Sequence, residues 1–400
     1  MTAGRDDLDQ TLTPGTLLVA AGRSNDPHVV NPPVTRGSTH LYADCAALRA
    51  GTRTNADGHY FYGRRGAPTQ WALAEALTAP EPGAASTVLY SSGVAAIAGA
   101  ALAALAPGDV LLMTDNVYET SRKLAAGLLK RFGIETRYFD PLDVDGFAAQ
   151  FCKRSRAVLL ESPGSLTMEV CDIPALAGIA RGRGAAVMID NTWATSLGFA
   201  GLSHGCDIAI QALTKHVGGH SDLMMGSCTA GREWYPRLRE TAQLLGQVVS
   251  PDDAALALRG LRTMALRLDR GAASALRIAE WLRGRAEVAE VLCPILPGAP
   301  GHELWRRDFT GGCGLFSFTL AEGIDDAARC RMIDRLELFG IGYSWGGFES
   351  LALPADPARI RTVTHWPKEK LLVRLSIGLE NPDDLIRDLQ RGFEAMGRVA

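Results

Sequence analysis

Short apolar runs and helix-spaced stretches alternate through the middle of the chain. Residues 87–90, 110–113, 157–160, 185–189 and 208–213 are apolar runs bounded by turn residues, and each predicts a short buried strand. Between them lie stretches with helical spacing. One is an Ala-rich segment opened by Ser91-Ser92-Gly93 and stopped by Pro107-Gly108-Asp109, the next is 119–132 ended by Gly133, and a third is 174–183. Strands alternating with helices predict βαβ units and a mostly parallel sheet covered on both faces. The pattern changes after Pro251. Residues 252–282 are polar-apolar helical sequence without a strand signal, as in a long connector. Beyond them, strands at 314–320 and 371–377 mix with helices at 325–338 and 383–396, as in an α+β module. The first sixty residues are irregular, and Asn31-Pro32-Pro33 and 51–58 read as loops or extended arms. The chain thus divides into an N-terminal arm at 1–65, a large α/β domain at 66–262 and a smaller α+β domain at 263–400.

Composition narrows the classes. With 400 residues and 47% hydrophobic content the chain can bury a sizeable core. The 41 Lys+Arg nearly balance 44 Asp+Glu, which argues against a general nucleic-acid binder and a polybasic membrane-surface protein. The apolar stretch 93–106 is shorter than the roughly 20 residues that cross a bilayer. The polar, acidic start 1–15 has neither the basic beginning nor the apolar core of a secretory signal. Eight scattered cysteines form no CxxC, so they indicate neither a zinc ribbon nor a thioredoxin-like site, and they read as reduced thiols of a cytoplasmic protein.

Ligands of parallel α/β sheets gather at the carboxyl ends of the strands, and three such ends carry chemistry. Ser91-Ser92-Gly93-Val94 joins a strand to a helix with small residues, the outline of a phosphate cradle, although many such loops share it. Asp190, in Asp190-Asn191-Thr192-Trp193, puts a carboxylate at the end of a buried strand, where it is a helix cap, a turn residue or a functional acid. Lys215, in Thr214-Lys215-His216, closes an apolar strand; partial burial there depresses its pKa and frees the amine as a nucleophile. His216 and His220 could share a helix face as a metal pair. The glycines between them and the want of a third ligand point instead to a site without metal. Together a phosphate cradle, an acid and a nucleophilic lysine are what pyridoxal phosphate (PLP) needs: an anchor for its aldehyde, a partner for its ring nitrogen and a seat for its phosphate. A nicotinamide-dependent dehydrogenase would explain the alternating pattern, but no GxGxxG follows the first strand.

Longer stretches carry a resemblance. Tyr60-Phe61-Tyr62-Gly63-Arg64-Arg65-Gly66, Leu160-Glu161-Ser162-Pro163-Gly164-Ser165, Ile189-Asp190-Asn191-Thr192-Trp193-Ala194, Thr214-Lys215 through Gly219-His220-Ser221-Asp222, Tyr343-Ser344-Trp345-Gly346-Gly347-Phe348-Glu349-Ser350 and Arg374 through Glu380 span nearly the whole chain. In them the sequence resembles the Cys/Met-metabolism family of PLP enzymes. The resemblance implies an α/β fold of the aspartate-aminotransferase-like type (fold type I), with a mostly parallel sheet in the large domain and a smaller α+β C-terminal domain. It implies that Lys215 carries the cofactor and serves as acid and base, that Asp190 pairs with the pyridine nitrogen, and that Tyr118 stacks on the ring and counts with Lys215 as catalytic. Gly93, Val94 and Thr214 hold the phosphate in that reading, with Tyr62 and Arg64 reaching it from a neighbouring subunit. Arg374 would grip the substrate α-carboxylate, and Ser344 and Trp345 would sit beside the substrate. Arg65 is a further candidate, for a distal carboxylate. The implied assembly is a homodimer with shared active sites, paired into a homotetramer, with residues 1–65 as an intersubunit segment.

The Trp345 form of the C-terminal motif points to a carbon–sulfur β-lyase, which cleaves L-cystathionine or related cysteine S-conjugates to a thiol, pyruvate and ammonia. The alternatives are a cystathionine γ-lyase or γ-synthase type of the same family and a non-catalytic PLP-binding protein. One departure stands out: many relatives have serine three residues before the lysine, and this chain has Ala212, so one phosphate hydroxyl is missing.

Overall fold

The structure, a computed structural model, describes residues 12–24, 28–53 and 58–397. Its strands in chain order are β1 (Ser86–Tyr90), β2 (Val110–Thr114), β3 (Glu135–Phe139), β4 (Ser155–Glu161), β5 (Ala186–Asp190), β6 (Ile208–Ala212), β7 (Gly226–Ala230), β8 (Val288–Leu292), β9 (Leu315–Leu320), β10 (Leu351–Ala355) and β11 (Leu372–Ser376). The first seven form one sheet in the order β1-β7-β6-β5-β4-β2-β3, and the last four an antiparallel sheet in the order β10-β11-β9-β8. In the large sheet β3, β2, β4, β5 and β6 run parallel, while β7 is antiparallel to both of its neighbours.

Why the central strands read as continuous apolar runs is visible in their packing. Leu112, Val158, Leu160, Val187 and Ile189 point to one side, into a core shared with helices Pro68–Thr78, Ile173–Gly182 and Pro251–Leu261. Leu111, Met113, Leu159 and Met188 alternate to the other side, against helices Gly93–Ala104 and Tyr235–Leu244. Both faces are covered, so neither shows a polar alternation. Among the described residues no helix is long and apolar enough to cross a membrane.

Several expected elements gain detail or need correction. Residues 252–282 are two helices, Pro251–Leu261 and Met264–Arg283, broken at Arg262-Thr263. The helix that begins at Glu119 widens into a π-helical turn over Ala125–Leu129. The N-terminal region, read as irregular, contains helices Pro14–Ala20 and Cys45–Arg53, so part of the expected loop 51–58 is helical, and 54–57 lie outside the described residues. Pro14 at the first helical position presets the backbone. Leu17 and Leu18 are buried, and Arg262 donates to the carbonyls of Leu18, Ala21 and Gly22 at 2.6, 2.6 and 3.2 Å.

Candidate active site

The carboxyl ends of β1, β2, β4, β5 and β6 meet on one edge of the large sheet, and each delivers one part of the site. At β1, Ser92 caps the next helix by accepting from Ala95 N at 3.2 Å, leaving Gly93 and Val94 in its first turn. Gly93 packs against the end of β6: a Cβ there would lie 2.7 Å from Ala212 Cβ. The cradle is therefore closed to any residue but glycine.

Asp190 ends β5. Both donors of Thr192, its N at 3.1 Å and its Oγ1 at 2.5 Å, land on Asp190 Oδ1. Thr192 Oγ1 in turn accepts from Ala212 N at 2.9 Å, which ties the acid to β6. Among the described residues Oδ2 has no hydrogen-bond partner. Burial pushes this carboxyl above its ordinary range, against the Thr192 donors and the positive charge of Lys215.

Lys215 stands three residues beyond β6. Its Nζ donates to Ser344 Oγ at 2.8 Å and lies 5.4 Å from the centroid of the Trp345 ring. Burial first, and then the charge of Arg374, pull its pKa down to about 8, against Asp190. Arg374, buried on β11, donates from Nη1 to Tyr343 O at 3.1 Å and from Nη2 to Gly342 O and Ser344 O at 3.1 and 3.0 Å; its Nε is buried without a partner among the described residues. Burial lowers its own pKa to about 10. The same guanidinium thus shapes the 342–344 turn and sets the field at Lys215. The amine pKa is open to direct test. In the cofactor-free protein, the rate of Lys215 acylation should rise about tenfold per pH unit and level off near 8, where an ordinary lysine would keep rising to about 10.4. Peptide mapping across a pH series measures it.

Tyr118 follows β2, and its main-chain N donates to Glu161 Oε2 at 2.6 Å. Glu161 ends β4 and is the register partner of Asp190. Burial, reinforced by the charge of Asp190, pushes the Glu161 carboxyl well above its usual range. Thr214 is paired with Met225: its Oγ1 donates to Met225 O at 3.2 Å and accepts from Met225 N at 3.1 Å. Tyr62 and Arg64 are not brought to Lys215 within the chain. Tyr62 is half exposed, and Arg64 donates to Gln243 O at 2.8 Å beside a separate cavity of about 560 Å³ that Arg65 also lines. His216 and His220 part company: the first packs against Trp345 and the second bonds Gly218 O at 2.8 Å.

Sequence reasoning singled out neither Glu161 nor Asp115 for a role. Asp115, fully buried just past β2, accepts from the main-chain N of Thr362, Val363 and Thr364, from both threonine hydroxyls, and from Arg122 Nη1 at 2.9 Å. Burial alone would raise its pKa, but the donors from Thr364 and Thr362 outweigh it and hold it well below the carboxylate range. A folded-state pKa below the unfolded one gives stability that is present above about pH 4 and lost as pH falls further. Asp115→Ala should cost about 3–5 kcal/mol, since it strands the buried Arg122, and should flatten the acid limb of stability in urea titrations run from about pH 3 to about pH 6.

The comparisons with known proteins now decide the family. The model of the Cys/Met metabolism PLP-dependent enzymes matches residues 15–394. The chain belongs to that family. It is 46% identical to a putative cystathionine beta-lyase of Rhizobium johnstonii over 99% of both chains. It is 42% identical to the cystathionine beta-lyase MetC of Escherichia coli, over 94% of this chain and 97% of that one. The crystal structure of MetB from Corynebacterium glutamicum superposes with a TM-score of 0.88 at 30% identity, covering 97% of this chain and 99% of the other. The fold is that of the type I PLP enzymes, and PLP is the cofactor. The site fits it: Asp190 Oδ2 awaits a ring-nitrogen partner, Lys215 offers a largely buried amine of lowered pKa, and the Gly93 cradle admits backbone only.

Proposed function

We infer that this PLP-dependent enzyme is a carbon–sulfur β-lyase that converts L-cystathionine to homocysteine, pyruvate and ammonia. The observation that carries the reading is the setting of Lys215: a lysine with a pKa near 8, under the charges of Arg374 and Asp190, bonded to Ser344 and beside Trp345.

Bound PLP supplies the electron sink that makes breaking a bond at the substrate α-carbon feasible. Asp190 holds the ring nitrogen, with Thr192 fixing the other carboxylate oxygen. Gly93 and Val94 hold the phosphate, Thr214 adds its hydroxyl by turning it from Met225 O, and Tyr118 covers the ring, its backbone set by Glu161. Arg374 binds the substrate α-carboxylate through its guanidinium fork, which fixes orientation as well as charge. Lys215 Nζ takes the Cα proton and delivers a proton to the departing sulfur. The amine does both because its pKa sits near working pH, and Ser344 Oγ aims it.

Tyr62 and Arg64 lie away from Lys215 in their own chain, and we assign them to the phosphate of a neighbouring copy in a homodimer paired into a homotetramer. The exposed Leu41, Leu244 and Tyr343 give a second copy apolar surface to cover. Mixing inactive Arg64→Ala with inactive Lys215→Ala should restore activity through hybrid sites, and no recovery after subunit exchange would refute the shared site. The break at Arg262-Thr263 supports dividing the chain into a large domain at 66–262 and a smaller one at 263–400 behind the 1–65 arm. Eight free cysteines fit a cytoplasmic enzyme.

The function is tested by supplying cystathionine and identifying the products. Pyruvate with homocysteine supports the reading, 2-oxobutyrate with cysteine indicates γ-elimination, and a yellow protein inert to every thioether amino acid indicates a binding protein.

A further inference from the structure

The residue after Lys215 is buried deeper than Lys215 itself. His216 is 6% exposed, its Nε2 is buried without a partner among the described residues, and its ring meets Trp345 edge-on with centroids 5.2 Å apart at 63°. Gly346, at φ +78°, brings its backbone against the same ring: a Cβ there would lie 3.0 Å from His216 Nδ1. The other end of the residue is held from a distance. Arg267, on helix Met264–Arg283, donates from Nη1 to His216 O at 2.7 Å, from Nη2 to Gly260 O at 2.6 Å and from Nε to Thr263 Oγ1 at 3.1 Å. A cavity of about 20 Å³, lined by His216, Arg267, Gly346 and Ser376 among others, adjoins this contact and is the size of one water.

We propose that His216 is a positioning residue: clamped by Arg267 through its carbonyl, its imidazole backs Trp345 and thereby sets where the indole stands beside Lys215 and the substrate. The proposal rests on the assignment of Trp345 to the substrate side. The imidazole takes no part in proton transfer. Burial, then the charge of Arg267 and, more weakly, that of Lys215 push its pKa down to about 3, so it stays neutral across the working range. A neutral, flat, buried ring, held by the Arg267 grip on its carbonyl and by a hydrogen bond with the Trp193 backbone, is a wedge, and its partner in the contact, the Trp345 indole, is only partly buried.

The test is a double-mutant cycle in the holoenzyme with His216→Ala, Trp345→Ala and the pair, and with His216→Phe as the ring-keeping variant. His216→Ala should raise KM for L-cystathionine about tenfold with kcat changed less than about threefold, the pattern of lost binding rather than lost chemistry. It should keep the visible cofactor absorbance, and its crystal structure should show the Trp345 ring moved or in more than one rotamer. His216→Phe should restore both KM and the ring position, and His216→Ala should add nothing in the Trp345→Ala background. Additive effects, or an unmoved indole, overturn the proposal. Trp345→Ala without effect overturns both it and the assignment of Trp345 to the substrate side, and loss of the cofactor absorbance in His216→Ala overturns the proposal alone, since a residue that acts through Trp345 leaves the cofactor bound. If His216→Ala fails to fold, the cycle runs with His216→Gln, which keeps a neutral polar group but not the ring.

Discussion

Replacing Lys215 by alanine should lower pyruvate release from L-cystathionine by at least about 10⁴-fold. One amine is assigned three tasks, holding the cofactor, taking the Cα proton and protonating sulfur, and removing a positioned acid–base alone costs up to about that much. The loss belongs to the amine and not to the packing. Among the described residues its Nζ makes one side-chain hydrogen bond, to Ser344 Oγ, beside a contact with the Trp345 ring and the pull of its charge on Asp190. In the cofactor-free proteins thermal unfolding should stay close to that of the parent, or rise, since a partly buried lysine whose pKa is pulled down destabilises the folded state below its unfolded pKa. Addition of small primary amines should recover part of the rate, because they replace the base without replacing the tether. Turnover near the parent level in Lys215→Ala would remove the proposed mechanism.

The second large effect is expected at Asp190. Asp190→Asn keeps the size of the side chain and removes the charge, so the ring nitrogen loses the anion that keeps it protonated. We expect kcat to fall about 10³-fold, in the range measured when a preorganised electrostatic group is deleted from a catalytic site, with a much smaller change in KM. Thr192→Val is the companion measurement. It leaves the carboxylate in place but deletes the hydroxyl that joins Asp190 Oδ1 to Ala212 N, so it should produce an intermediate loss. Steady-state kinetics with cofactor occupancy read from visible absorbance separates the two. Equal losses in the Asp190→Asn and Thr192→Val proteins would mean that orientation, not charge, is what Asp190 contributes.

Which of these residues the sequence disclosed follows from how each is buried. Lys215 and Asp190 are legible because a charged residue closing an apolar run is out of place unless it has work or a partner. Glu161 carries the same signal at the end of 157–160, and the structure puts it beside Asp190 in the register. Asp115 follows Thr114 after the run 110–113 and could have been noticed likewise. Its partners could not, because Thr362 and Thr364 come from the far end of the chain with no pattern to mark them. Arg267 is one of many arginines on a polar-apolar helix, and only the fold shows that it reaches the His216 carbonyl.

The strands show the same division. The apolar runs at β2, β4, β5 and β6 announced themselves, whereas β7 did not. Gly226-Ser227-Cys228-Thr229-Ala230 is small and partly polar, yet it is buried throughout because it pairs on both sides, with β1 and β6. β3 escaped for the opposite reason: as an edge strand it is mostly half-buried, with Glu135 and Arg137 ion-paired to each other. β10 contains Pro354, which an edge strand tolerates and a sequence reading takes for a break.

The docking of the N-terminal helix on Arg262 has a consequence for biogenesis. The Leu18 carbonyl and its donor are separated by 244 positions. At about 5–20 residues per second, a ribosome delivers that arginine roughly ten seconds to a minute after the helix has emerged. Throughout that interval Leu17 and Leu18 can lean only on whatever the nascent chain or a chaperone offers.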